Sequence, residues 1–151
     1  MKEVLTEGAL AKGDATHGRV LFTKHCASCH KMFGEGQTVG PELTGSQRSN
    51  LDYVLENVLD PSAVVPNEYR LINFTTIDDR VVSGIVLRET KDVITVRTTN
   101  DTVILPTAGV AARKQTNVSI MPDGLFDQLK PDEVRDLIAY LRSKEQVPIP
   151  K

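Results

Sequence analysis

The stretch "KHCASCHKMF", Lys24 to Phe33, contains both cysteines of this 151-residue chain. Cys26 and Cys29 are three residues apart, and His30 follows the second directly. A disulfide between residues so close would staple almost nothing. A tetrahedral zinc site needs four ligands, and His17 and His25 do not supply the usual second pair. A thioredoxin-like redox pair opens a helix after a strand, whereas the segment ahead of it, "DATHGRVLFTKH" (14–25), has a helical pattern.

One chemistry uses all three residues. Thiols at i and i+3 reach the two vinyl groups on one edge of a porphyrin, and the adjacent histidine turns under the iron as an axial ligand. C-x-x-C-H is the signature of covalent haem attachment. The expected cofactor is one haem c, held by two thioethers at Cys26 and Cys29 and ligated by His30.

The composition permits this and excludes other classes. At 40% hydrophobic and 25% charged residues the chain reads as an ordinary globular protein. A formal charge of −2 provides no basic footprint for nucleic acid and no polybasic patch for anionic lipid. Aromatics are 5% and there is no Trp, so the small core has room for a non-protein group. No apolar run approaches the roughly 20 residues of a membrane helix. The opening "MKEVLTEGALAKGDA" lacks the apolar run of a secretion signal.

A sixth iron ligand has few candidates. Met32 is too close to the motif to reach the far side, and Met1 is terminal. His17 and His25 lie on the first helix or at its end. Met121 remains, in "VSIMPDGLF", about 90 residues after His30 in a Pro/Gly loop before the last helix. Two readings compete for it: a core gap-filler, or a thioether ligand of the His/Met type. With both axial positions filled, the iron would act as an electron relay.

The surrounding sequence resembles the class I cytochromes c. "GDATHGRVLFTKHCASCH" (13–30) is similar to their N-terminal helix, with Gly18 eight residues and Phe22 four residues before Cys26. "PDEVRDLIAYLRS" (131–143) resembles their C-terminal helix, with Leu137, Tyr140 and Leu141 at the contact positions. The apolar set Val134, Leu137, Ile138, Leu141 forms one stripe. The resemblance implies that Gly18 lets two helices cross closely and that Phe22 and Tyr140 fill the crossing. "VGPELTG" (39–45) resembles the family's loop after the haem motif. It implies a hydrogen bond from the second ring nitrogen of His30 to the Pro41 carbonyl, with Leu43 on the porphyrin; a plain Gly-Pro turn is the alternative. Asn50 is expected to cap a helix over 51–59 that ends at Asp60-Pro61. Tyr53 on it faces either the haem or the ordinary core.

Between Pro66 and Met121 lie about 55 residues that a minimal cytochrome does not need. "YRLINFTTI" (69–77), "RVVSGIVLRE" (80–89), "DVITVRTT" (92–99) and "TVILPT" (102–107) read as strands. Asp78-Asp79, Thr90-Lys91-Asp92 and Asn100-Asp101 read as hairpin turns. The expected architecture is therefore a mainly α cytochrome c fold with a small inserted antiparallel β meander, α+β overall. Residues 1–13 would be an N-terminal extension, 14–144 one domain with 67–118 as the insertion, and 145–151 a tail. "AGVAARKQTNVSI" (108–120) reads as a strand or as a loop leading back to the haem. Arg113, with Lys114, Arg48 and Tyr69 as comparable candidates, would pair the haem propionates or stand in solvent. The insertion would be a docking surface or a shield that keeps the haem dry.

From about residue 14 to 144 the chain also resembles the planctomycete-type haem-binding domain of multidomain proteins. That likeness implies an electron-accepting module, with a dehydrogenase-like or propeller region as a fused partner. The functional expectation is a one-electron carrier without an enzyme site of its own, working with redox proteins outside the cytoplasmic membrane, in the periplasm or a comparable compartment. The alternative is a haem-based gas or redox sensor with an exchangeable sixth ligand.

Overall fold

The computed structural model describes residues 5–151, so Met1 and the first part of the expected N-terminal extension lie outside the described residues. The chain divides into two compact units. One is helical and comprises the segment ending at Asp60 together with Asp123–Lys151. The other is a sheet unit, Pro61–Pro122.

The helical unit contains α1 (Glu7–Leu10), α2 (Ala15–His25), α3 (Leu51–Leu59) and α4 (Pro131–Leu141). Asp14 starts α2, its carboxylate accepting from the Thr16 and His17 amides at 2.9 and 3.2 Å. Asn50 starts α3 by accepting from Tyr53 N at 3.3 Å, and the helix stops before Asp60-Pro61. Pro131 occupies the first turn of α4, where its missing N–H costs nothing, and Glu133 reaches back to the Lys130 amide at 2.8 Å.

The packing of α2 on α4 is decided by Gly18. A Cβ there would stand 2.0 Å from the Asp136 carbonyl oxygen and 2.7 Å from Tyr140 Cβ. Only a residue without a side chain permits that approach. The Phe22 and Tyr140 rings meet beside it with centroids 5.5 Å apart, tilted by 59°. The expected close crossing is thus observed. Val134, Leu137, Ile138 and Leu141 form the buried stripe of α4, and Met32, Val54, Leu55 and Phe126 complete the same core.

The sheet unit has β1 (Arg70–Thr76), β2 (Val81–Glu89), β3 (Val93–Arg97), β4 (Thr102–Pro106) and β5 (Val110–Ser119) in the order β4-β3-β2-β1-β5, all neighbours antiparallel. The four anticipated strands and their three turns are present. The arrangement nevertheless departs from a three- or four-stranded meander. After β4 the chain crosses to the opposite edge, where β5 pairs with β1. The stretch left open as strand or loop is a strand. It lacked a clear pattern because only Ser119 of its ten residues is buried. An edge strand polar on both faces shows no period-two alternation.

The sheet is curled. The first half of β2 pairs with β1 and the second half with β3, with a bulge at Leu87. Glu89, at the far end of β2, meets Arg113 on β5 at 2.7 Å. The curl encloses a core of Phe74, Ile94, Val96 and Leu105.

Candidate cofactor site

The motif loop leaves α2 through a tight turn. Cys26 N still donates to Phe22 O at 2.8 Å, while Cys29 N and His30 N both donate to Cys26 O, at 3.1 and 2.9 Å. This turn brings the two cysteines and His30 onto one short loop. Both cysteines are free thiols and partly exposed. Burial, with a smaller contribution from Cys29, pushes the Cys26 thiol up to about 12. It is therefore held as a protonated thiol at neutral pH.

His30 is oriented from two sides. Its Nδ1–H donates to the Pro41 carbonyl across 2.8 Å. A carbonyl can only accept, so Nδ1 carries the proton and the lone pair of the neutral ring is on Nε2. Burial pulls the His30 pKa down from its usual value, against the upward effect of the Pro41 hydrogen bond. Gly40 lies flat on the ring. A Cβ at that position would stand 2.8 Å from Cε1, 3.1 Å from Nδ1 and 3.3 Å from Nε2. Gly40 N is itself tied to Cys29 O at 2.7 Å. Two free thiols at i and i+3 and a fixed neutral imidazole with its Nε2 lone pair available are the donor set that a covalently attached haem requires.

The remaining sequence-derived candidates fall in both units. Leu43 and Tyr53 pack, partly buried, against the helical core. Met32 is completely buried in that core. Arg48 is only 9% exposed and spends its guanidinium on carbonyl oxygens of the helical unit. Tyr69, Arg113 and Met121 belong to the sheet unit. Tyr69 O accepts from Ile120 N at 2.9 Å, and Met121 N donates to Ser119 Oγ at 3.1 Å. Arg113 has a partner of its own: its guanidinium forks onto Glu89 at 2.7 and 3.2 Å and stands 5.3 Å over the Phe74 ring. Lys114 is exposed on β5.

Sequence reasoning missed the Gly40 contact and the carbonyl cage around Arg48. A glycine directly before the histidine-binding proline was an available signal for the first. Nothing local announced the second, because two of the Arg48 acceptors lie more than ninety positions away, at Leu141 and Ser143.

A helix, a C-x-x-C-H turn, a proline carbonyl on the histidine and a second helix are features of a c-type cytochrome domain. Residues 15–61 match the family model of cytochrome c. That family carries haem c bound covalently, and Cys26 and Cys29 fit its attachment motif. Among curated proteins, a cytochrome c-553-like protein of Synechocystis sp. is 41% identical over 49 residues, covering 32% of this chain and 46% of the relative. Both matches concern a minority of the chain. The family match ends at residue 61, where the sheet unit begins. No helix among the described residues is long and apolar enough to cross a membrane.

Proposed function

We propose that the protein is an electron-transfer module of the c-type cytochrome kind. Cys26 and Cys29 would hold one haem by two thioether bonds, and His30 Nε2 and the Met121 sulfur would be its axial ligands. The bound haem supplies a one-electron Fe(II)/Fe(III) couple. The hydrogen bond from His30 Nδ1 to the Pro41 carbonyl, beside two free thiols, is the observation that carries the reading.

The residues of this chain then have distinct tasks. Cys26 and Cys29 anchor the group so that it remains through every redox cycle. Pro41 fixes the ring of His30 and increases its electron donation, which favours Fe(III). A thioether at Met121 favours Fe(II) and raises the potential. The case for Met121 rests on its place in the chain: a Pro/Gly loop ahead of α4, with Met32 committed to the core. Leu43 and Tyr53 would border the porphyrin from the helical unit.

We read the sheet unit, 61–122, as an insertion into a cytochrome c fold, serving either to shield the haem or to dock a partner. Partners would be redox proteins meeting in the small, transient interfaces typical of electron transfer. Haem is attached to such motifs outside the cytoplasmic membrane, so the proposed location is the periplasm or an equivalent compartment. The planctomycete-type likeness adds a fused dehydrogenase or propeller region as the proposed donor.

The test is ligand binding to the haem-loaded protein. Reduced wild type should be low-spin and slow to take carbon monoxide, and Met121→Ala should open the iron to it. Ready binding by wild type would remove Met121 as a firm ligand and favour a gas or redox sensor.

A further inference from the structure

Arg48 is buried, yet none of its hydrogen bonds reaches a carboxylate. Nε donates to Leu43 O at 2.8 Å and Nη2 to Thr44 O at 2.9 Å. Nη1 donates to Leu141 O at 2.5 Å and to Ser143 O at 2.8 Å, where α4 ends. Leu141 is the last residue of α4, so its carbonyl lacks a helical partner and carries the negative end of the helix dipole, and a cation is well placed there. The guanidinium carbon also lies 4.9 Å over the Phe33 ring.

What Arg48 grips is the segment that orients His30. Pro41 O accepts from His30, and two and three residues later Leu43 O and Thr44 O accept from Arg48. Between these points the segment has two other ties nearby. Leu43 N donates to Lys31 O at 2.8 Å, and Thr44 Oγ1 accepts from Phe33 N at 2.9 Å. A planar five-donor fork reaches both carbonyls on one side and the end of α4 on the other; a lysine ammonium cannot.

We propose that Arg48 is a positioning residue for His30, clamping the Pro41–Thr44 segment to the end of α4 so that the Pro41 carbonyl stays on the imidazole. This deepens the haem reading of His30 and rests on it for its redox consequence. None of the Arg48 hydrogen bonds reaches His30 or either cysteine. It acts through the loop.

The test uses the haem-loaded full chain with Arg48→Lys and Arg48→Met. Lysine retains the charge and loses the fork, so the His30–Pro41 bond weakens, His30 donates less electron density, and the midpoint potential rises. An arginine acting only by its charge would leave the lysine variant at the wild-type potential and lower that of the methionine variant. In Arg48→Lys, exchange of His30 Nδ1–H and of the Leu43 amide should speed up about tenfold or more, from lost charge-assisted bonds, relative to amides at the α2–α4 crossing. A uniform acceleration across the helical unit, or an unchanged potential with unchanged exchange at His30, overturns the proposal. Wild type provides a check that needs no variant: in mild denaturant, Arg48 Nε–H and His30 Nδ1–H should open as one unit. Independent opening also overturns it. If wild type carries no haem, the ligand reading of His30 fails by itself, and the coupled exchange still decides the clamp.

Discussion

Gly18 on α2 and Asp136 on α4 are in backbone contact, close enough that a single methyl at residue 18 would overlap the Asp136 carbonyl oxygen at 2.0 Å. The Phe22–Tyr140 ring contact and the buried stripe of α4 both depend on that approach. Gly18→Ala should force the helices apart. The expected cost is about 3 kcal/mol or more, at the upper end of overpacking, because the obstructing atom is backbone and cannot rotate away. Denaturant unfolding followed by helical circular dichroism measures it. A stability within experimental error of wild type would show that the helices do not pack as described.

The same Asp136 makes the crossing sensitive to pH. Its Oδ1 accepts from the Asp14 amide at 2.8 Å and its Oδ2 faces His17 Nδ1 at 2.9 Å. The Asp136 hydrogen bond raises the His17 pKa above its usual 6.5 against the lowering effect of desolvation, with further help from the charges of Asp136, Asp14 and Glu133. A raised folded-state pKa means the charged pair stabilises fully below pH 6.5 and loses that contribution as pH climbs through the raised value. The His17 side chain is 43% exposed, so the effect should be modest and should shrink in salt. Denaturation midpoints of wild type and His17→Gln should differ at pH 6 and converge as pH rises from there through the raised histidine value. A constant difference across that range would mean the pair does not titrate with folding.

At the site, Gly40→Ala tests the orientation of His30. The added methyl would meet the imidazole face at 2.8 Å, so either the ring turns or the Gly40–Cys29 hydrogen bond gives way. The expected stability cost is about 1–3 kcal/mol. The haem-loaded variant should also show a larger high-spin ferric fraction than wild type. Unchanged spectra would mean that Gly40 does not pack on the ring of an iron ligand.

The helical unit was legible because its signals are local. Asn50 announces a helix start, Asp60-Pro61 marks its end, and the four apolar residues of α4 repeat at helical spacing. The hairpins of β1 to β4 were legible from Val, Ile and Thr runs broken by Asp and Asn. The last strand was half legible, since "AARKQTN" carries no apolar alternation and becomes a strand by pairing with β1. The four-residue helix α1 is too short to leave a periodic trace. The histidine–proline bond was readable from a family likeness, and the geometry found matches it at Pro41. The Arg48 cage and the His17–Asp136 pair join residues about a hundred positions apart, and such contacts leave no pattern in one sequence. Arg113 illustrates the converse. Its position near Met121 suggested a propionate partner, and the curl of the sheet gives it Glu89.

Haem would be held at Cys26 and Cys29 by covalent bonds, so intact mass tests its attachment most directly. Protein from a host that matures c-type cytochromes should be red, lack free thiols, and carry the mass of one haem that survives denaturation. Cys26→Ala/Cys29→Ala should lose that added mass. Colourless wild-type protein with two free thiols and the mass of the bare chain would contradict the account.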